Sequence, residues 1–177
     1  MTDAELQLEL DRLRRGDAAA FESLYRELGT PVYTVLLRIV QDRFLAEDLF
    51  QDFFAELFQK PPAEGVRKPR AYLFQTARNL ALDALRRRRE TAPLEDAALR
   101  AAAPEIGPET LDLAEAIGTL ELSERQAVTL HLNAGLRFRE IAAITGEPLG
   151  TVYARYRKAI EKLRAYMEYG PDGDDLK

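Results

Sequence analysis

Residues 137–164 read RFREIAAITGEPLGTVYARYRKAIEKLR, and the pattern of this stretch decides the fold. Ile141, Ala142 and Ile144 give a short amphipathic helix that Gly146 ends, and Pro148-Leu149-Gly150-Thr151 opens another. Helix, tight glycine turn, helix is the arrangement that lays its second helix in the DNA major groove. Projected at about 100° per residue, Val152, Tyr156, Ala159, Ile160 and Leu163 share one face of that second helix. Tyr153, Ala154, Arg157, Lys158 and Glu161 point the other way, with Arg155 on the flank. Such an outward face suits base edges and phosphates. A plain helical hairpin with a solvated basic face is the ordinary alternative. The turn glycine, the Gly150-Thr151 start and the skewed charge favour DNA.

Working outward, apolar residues recur at helical spacing almost throughout, and strand signals are scarce. Leu6, Leu8, Leu10 and Leu13 predict a first short helix. Gly16-Asp17 opens a second, in which Phe21, Leu24, Tyr25 and Leu28 repeat at i, i+3, i+4, i+7, and Gly29-Thr30-Pro31 is expected to break it. Helices near 31–40, 44–58 and 69–88 follow. After Arg89 the chain turns rich in Ala, Pro and Glu, which reads as a linker. Four more helices are expected near 109–118, 123–133, 137–145 and 149–167, with Ser123 as an N-cap and Gly135 and Gly146 at turns. His131 reads as a packed or surface histidine. The expected fold is all-α: two small helical domains, 1–90 and 109–168, joined by a flexible acidic linker, 91–108, and followed by a frayed tail, 169–177.

The net charge of −5 argues against a nucleic-acid partner until it is mapped. Lys60, Arg67, Lys68, Arg70, Arg78 and the run Arg86, Arg87, Arg88, Arg89 face only Glu64 and Asp83 over residues 60–89. Arg155, Arg157, Lys158, Lys162 and Arg164 face only Glu161 over 150–164. Between the two patches the acids dominate. With no cysteine and one histidine, disulfides, thiolate sites and histidine metal clusters are excluded, and no cofactor, metal or small-molecule substrate is expected. No apolar run approaches the ~18 residues of a membrane span, and the first residues lack an apolar signal core. A soluble cytoplasmic protein that is not an enzyme is expected.

The stretch 70–89, RAYLFQTARNLALDALRRRR, patterns as one long helix with Leu73, Ala77, Leu80, Ala81 and Ala84 as its buried stripe. Tyr72, Thr76, Asn79 and Asp83 fall on another face at i, i+4, i+7, i+11, beside Gln75 and Arg86. A ring, a hydroxyl and an amide in one exposed line suit an unpaired base, and the arginine run suits its phosphates. Arginines that merely complement the helix dipole are the bland reading. In 45–58, LAEDLFQDFFAELF, Ala46, Leu49, Phe53 and Leu57 face inward and Phe50 and Phe54 widen the stripe, with Glu47, Asp48, Gln51, Asp52 and Ala55 outside. That is either a docking face for a basic helical partner or a core helix with a solvated side. Glu47, Asp48, Asp52 and Glu56 lack the Glu-x-x-His pairing of di-metal bundles.

The motifs AEDLFQDFF at 46–54, RAYLF at 70–74, ARNLALD at 77–83 and the arginine run resemble conserved region two of the extracytoplasmic-function RNA polymerase sigma factors. LSERQ at 122–126, FREIA at 138–142 and GTV at 150–152 resemble their region four. The resemblance covers about Asp17 to Leu163, in family order and spacing. It implies that Asp48, Gln51 and Asp52 grip the clamp helices of core polymerase. Tyr72, Gln75, Thr76, Asn79, Asp83 and Arg86, Arg87, Arg88 and Arg89 would serve the −10 element, with Asn79 holding a flipped base. Thr151, Tyr153, Ala154, Arg155, Arg157 and Lys158 would serve the −35 element. Tyr72 stands where the family usually has tryptophan, Gln75 where arginine is common and Tyr153 where lysine or arginine is common. Core RNA polymerase and promoter DNA are the implied partners, and an anti-sigma factor is a further one. A decoy that binds only an anti-sigma factor, and a plain helix-turn-helix regulator, are the competing readings.

Overall fold

The computed structural model describes residues 1–91 and 108–170. Most of the expected linker, 92–107, and of the expected tail, 171–177, lies outside the described residues. Eight helices and no strand occur among those described: α1 (Asp3–Arg14), α2 (Ala18–Val40), α3 (Arg43–Gln59), α4 (Pro69–Thr91), α5 (Pro108–Thr119), α6 (Leu122–Leu132), α7 (Phe138–Thr145) and α8 (Leu149–Tyr169). The expected all-α class holds.

Local chemistry starts the helices where short polar residues meet free amides. Thr2 and Glu5 form a reciprocal capping box at α1, the Asp17 carboxylate accepts from the Ala19 amide at 3.0 Å, and Asp42 accepts from Leu45 at 3.1 Å. Gln41, at φ 55°, turns the chain sharply between α2 and α3. The cap of α6 is Glu121 with Glu124, so Ser123 lies inside the helix rather than at its start.

The expected break at Gly29-Thr30-Pro31 does not occur. Helix α2 runs through Pro31 without interruption. Proline inside a helix costs about 3 kcal/mol, because a donor is lost and the ring crowds the preceding turn. Leu24, Leu28, Val32, Val35, Leu36 and Ile39 are all buried on either side of it. At about 1.5–3 kcal/mol per buried aliphatic side chain, that stripe outweighs the proline. The Thr34 hydroxyl also donates to the Thr30 carbonyl at 2.8 Å, satisfying one acceptor in the disturbed turn.

Helices α1 to α4 pack around α2. Phe53 and Phe54 of α3 and Leu73, Phe74, Ala77 and Ala81 of α4 close the core. Helices α5, α6 and α8 share a smaller core of Ala116, Ile117, Leu120, Val128, Ala159 and Leu163. The two halves are not apart. Leu130, Ala134, Leu136, Ile141, Ile144 and Val152 of the second half join the core of the first. Polar bonds ring this junction. Arg78 donates to Gln126 at 2.6 Å and to the Ile144 carbonyl at 3.4 Å. Lys68 pairs with Glu140 at 3.3 Å, and Arg38 donates to Asn133. Packing between the halves had no signature in the periodicity, because it uses short stretches of α6, α7, the loop between them and the start of α8.

Candidate nucleic-acid interface

Three surfaces carry the expected residues. The first is the polar side of α3. Ala46, Leu49, Phe53, Phe54 and Leu57 anchor it, while Asp48, Gln51 and Asp52 are exposed on its far side. Glu47 is half-buried and held by Arg43 at 2.9 Å. Alongside runs an aromatic groove that the sequence reading missed, lined by Phe21, Tyr25, Gly29, Tyr33 and Phe50. Tyr25 stacks obliquely on Phe54 at 4.7 Å and meets Phe50 at 5.7 Å, yet it is open to solvent rather than part of the core. The i, i+4 repeat of Phe21, Tyr25, Gly29 and Tyr33 was the available signal.

The second surface is α4. Leu73, Ala77 and Ala81 are buried as expected, and Leu80 and Ala84 are half-buried. Phe74 is also fully buried and was not in the expected stripe. Tyr72, Gln75, Asn79 and Asp83 are exposed, so the line of side chains is free to meet a ligand. The Thr76 hydroxyl donates back to the Tyr72 carbonyl at 3.1 Å, leaving its lone pairs as acceptors. Arg78 reaches the Asn79 side-chain oxygen at 3.5 Å while bound to the second half, which links the amide to the junction. The arginines at 86–89 are exposed. Arg88 pairs with Asp42 at 2.9 Å and Arg86 weakly with Asp83 at 3.5 Å, whereas Arg87 and Arg89 extend into solvent.

The third surface is the outer face of α8. Gly146, at φ 71°, caps α7 in the left-handed conformation that glycine adopts without strain, and so aims α8. Val152, Ala159 and Leu163 are buried, and Tyr156 and Ile160 half-buried, as the projection required. Tyr153, Ala154, Arg157 and Lys158 are exposed and Thr151 is half-buried. Tyr153 stands edge-on against Phe138 at 5.4 Å, and Phe138 stacks on His131 at 4.3 Å. The Nδ1 of His131 lies 2.8 Å from the Leu136 carbonyl, so this ring is a packed shelf and not a ligand.

Every cation expected on this face has an acidic neighbour: Arg155 with Glu147 at 2.6 Å, Arg157 with Glu161 at 3.4 Å, Lys158 with Glu124 at 3.1 Å. Glu124 is buried at the start of α6 and is also bound by Lys162 at 2.9 Å. Burial pushes its pKa up, but hydrogen bonds from Lys162, Lys158 and the Glu121 amide outweigh that and hold it below the usual carboxylate range. Lys158 is correspondingly raised, chiefly by its hydrogen bond to Glu124. Among the described residues, no cluster of His, Asp and Glu could hold a metal, and no helix is long and apolar enough to cross a membrane.

The described residues thus combine a helix-turn-helix, α7 and α8, with a basic helix, α4, that exposes a ring and an amide. Sigma-70 region 2 matches residues 24–91, and Sigma-70, region 4 matches residues 110–163. The ECF RNA polymerase sigma factor RpoE of Cereibacter sphaeroides is 32% identical over 163 residues, covering 85% of this chain and 88% of that protein. The RNA polymerase sigma factor CarQ of Myxococcus xanthus is 34% identical over 168 residues, covering 89% and 95%. In fold the chain resembles the sigma factor RpoE in complex with the anti-sigma factor NepR from Bartonella quintana, with TM-score 0.67, 23% identity and coverage of 84% and 98%. The chain belongs to the extracytoplasmic-function family of RNA polymerase sigma factors. As such it joins core RNA polymerase and directs transcription initiation at specific promoter DNA.

Proposed function

We propose a division of labour among the three surfaces. Asp48, Gln51 and Asp52 on α3 grip core polymerase. The α4 line of Tyr72, Gln75, Thr76, Asn79 and Asp83 takes an unpaired −10 base, with Arg86, Arg87, Arg88 and Arg89 on the adjoining phosphates. The α8 face reads the −35 duplex through Thr151, Tyr153, Ala154, Arg155 and Arg157, with Lys158 beside them. Residues 1–90 and 109–168 are the two working domains, 91–108 the connector and 169–177 a tail. No bond is made or broken by this chain, and it acts in the cytoplasm. The observation that carries the reading is α4. Its apolar stripe is committed to the core while a ring and an amide stand exposed on one side, a ring to stack a base and an amide to hydrogen-bond its edge.

Transcription with core polymerase and a genomic DNA library tests it. Adding the chain is expected to produce discrete new start sites. A pattern identical to core polymerase alone would sink the reading.

Closure of the two halves bears on mechanism. Elements at −10 and −35 lie about 25 base pairs apart, roughly 85 Å of duplex at about 3.4 Å per step. Yet Arg78, next to Asn79, is bonded to Ile144 just before the turn into α8. Both elements cannot be engaged in this arrangement, so the halves separate on the promoter. The 17 steps from Thr91 to Pro108 can extend about 55–60 Å at 3.3–3.6 Å each, enough with the breadth of the domains. An anti-sigma factor is a fitting further partner, since the structurally similar RpoE is found in complex with the anti-sigma factor NepR.

The chain has no cysteine, so Ala18→Cys with Glu168→Cys gives two unique labelling points at exposed positions. Their separation is expected to lengthen by tens of ångströms when core polymerase and promoter are added. An unchanged separation would rule out opening.

A further inference from the structure

Helix α8 carries its own counter-ions, and they are not equivalent. The Arg157–Glu161 pair is open to water at both ends, with side chains 64% and 67% exposed, and such pairs are weak and readily exchanged. Glu147 and Arg155 sit on the flank. Glu124 differs because its side chain is 2% exposed while that of Lys158 is 58% exposed. A carboxylate that cannot turn to solvent keeps its charge only while cations stay with it. Its two oxygens receive Lys158 at 3.1 Å, Lys162 at 2.9 and 3.1 Å and act within the α6 capping box at the Glu121 amide, 3.2 Å away. Glu121 adds a second acid 3.9 Å from Lys158. These two lysines and two glutamates sum to zero charge.

We propose that Glu124 is a positioning and specificity residue. It keeps Lys158 and Lys162 on the protein, so that α8 does not grip phosphate regardless of sequence and discrimination falls to Tyr153, Ala154 and Arg157. Lys158 is then a strut between α6 and α8 rather than a DNA contact. This rests on the reading of α8 as the duplex-facing helix. The physical reason is that each cation released to phosphate adds affinity that carries no sequence information.

The test is a salt titration of the full chain on a random-sequence duplex of about 20 base pairs. Glu124→Gln preserves shape and the capping acceptor but removes the charge that holds both ammoniums, leaving Lys158 only Glu121 at 3.9 Å. Affinity is expected to rise several-fold near 0.1 M salt, and the slope of log K against log salt to steepen by about 1–2, at 0.9 per engaged phosphate. Loosening of the α6–α8 contact alone would lower affinity and flatten the slope. Adding Lys158→Ala to Glu124→Gln should remove about half the gain in slope.

Arg157→Ala separates the two ways of failing. If it weakens binding while Glu124→Gln does not strengthen it, α8 meets DNA but the role of Glu124 is overturned. If neither changes the curve, the duplex-facing reading falls and the proposal with it. A second measurement needs no substitution. In the wild-type chain the Lys158 ammonium NMR signal should stay in place when duplex is added, while the Arg157 side-chain signal moves. A Lys158 signal that follows the DNA overturns the proposal.

Discussion

Replacing Tyr72 and Asn79 together by alanine is expected to leave polymerase binding intact and to cut open-complex formation about ten- to a hundredfold. Stacking of a base on an aromatic side chain is worth about 1–3 kcal/mol, and each 1.4 kcal/mol is a factor of ten. Loss of the amide adds to this, because a flipped base is left with one unsatisfied edge. Both side chains are exposed, so folding should change by no more than about 0.5 kcal/mol. Neither lies on the Asp48, Gln51, Asp52 surface. Permanganate reactivity of unpaired thymines reads the opening, and co-purification with core polymerase reads the binding. Undiminished reactivity would remove α4 as the base-capturing helix. Loss of both readouts would mean that α4 belongs to the polymerase interface.

Two positions along from Tyr72, the opposite outcome is expected. Phe74→Ala should cost about 3–5 kcal/mol of folding stability, the usual range for truncating a buried phenylalanine and leaving its space partly empty. Phe74 has no exposure, and it is the largest of the fully buried side chains. It closes the core formed by α2 and α3 behind the exposed line of Tyr72, Gln75 and Asn79. Denaturant unfolding of the full chain would measure the loss, and a cost below about 1 kcal/mol would contradict the packing of α4. The pair Tyr72 and Phe74 is thus expected to separate function from stability within one turn of helix.

How much of this was legible in the sequence depended on the range of the interaction. The α8 projection placed Val152, Ala159 and Leu163 inside and Tyr153, Ala154, Arg157 and Lys158 outside, because one helix on one core obeys a single period. Helix α4 packs against both α2 and α3, so its buried arc is wider than one stripe. That is why Phe74 escaped. At Pro31 a local breaker signal lost to a buried stripe on both flanks. Ser123 gave way as a cap to the Glu121–Glu124 box, which a reading for short polar caps does not look for. Charges were legible as patches but not as pairs. That Glu124, some thirty-four positions away, should underlie Lys158 needed the fold.

The residues that join the halves have a consequence for the lifetime of the protein. Pulling α6 and α7 away uncovers Leu130, Leu136, Ile141 and Ile144 together with the side of the first domain they cover. A contiguous apolar surface of that kind invites aggregation and proteolysis unless something else sits on it. Closed, the chain can be stored. Separation of the halves would therefore call for a partner on that surface, and turnover would set how long an opened, unused copy persists.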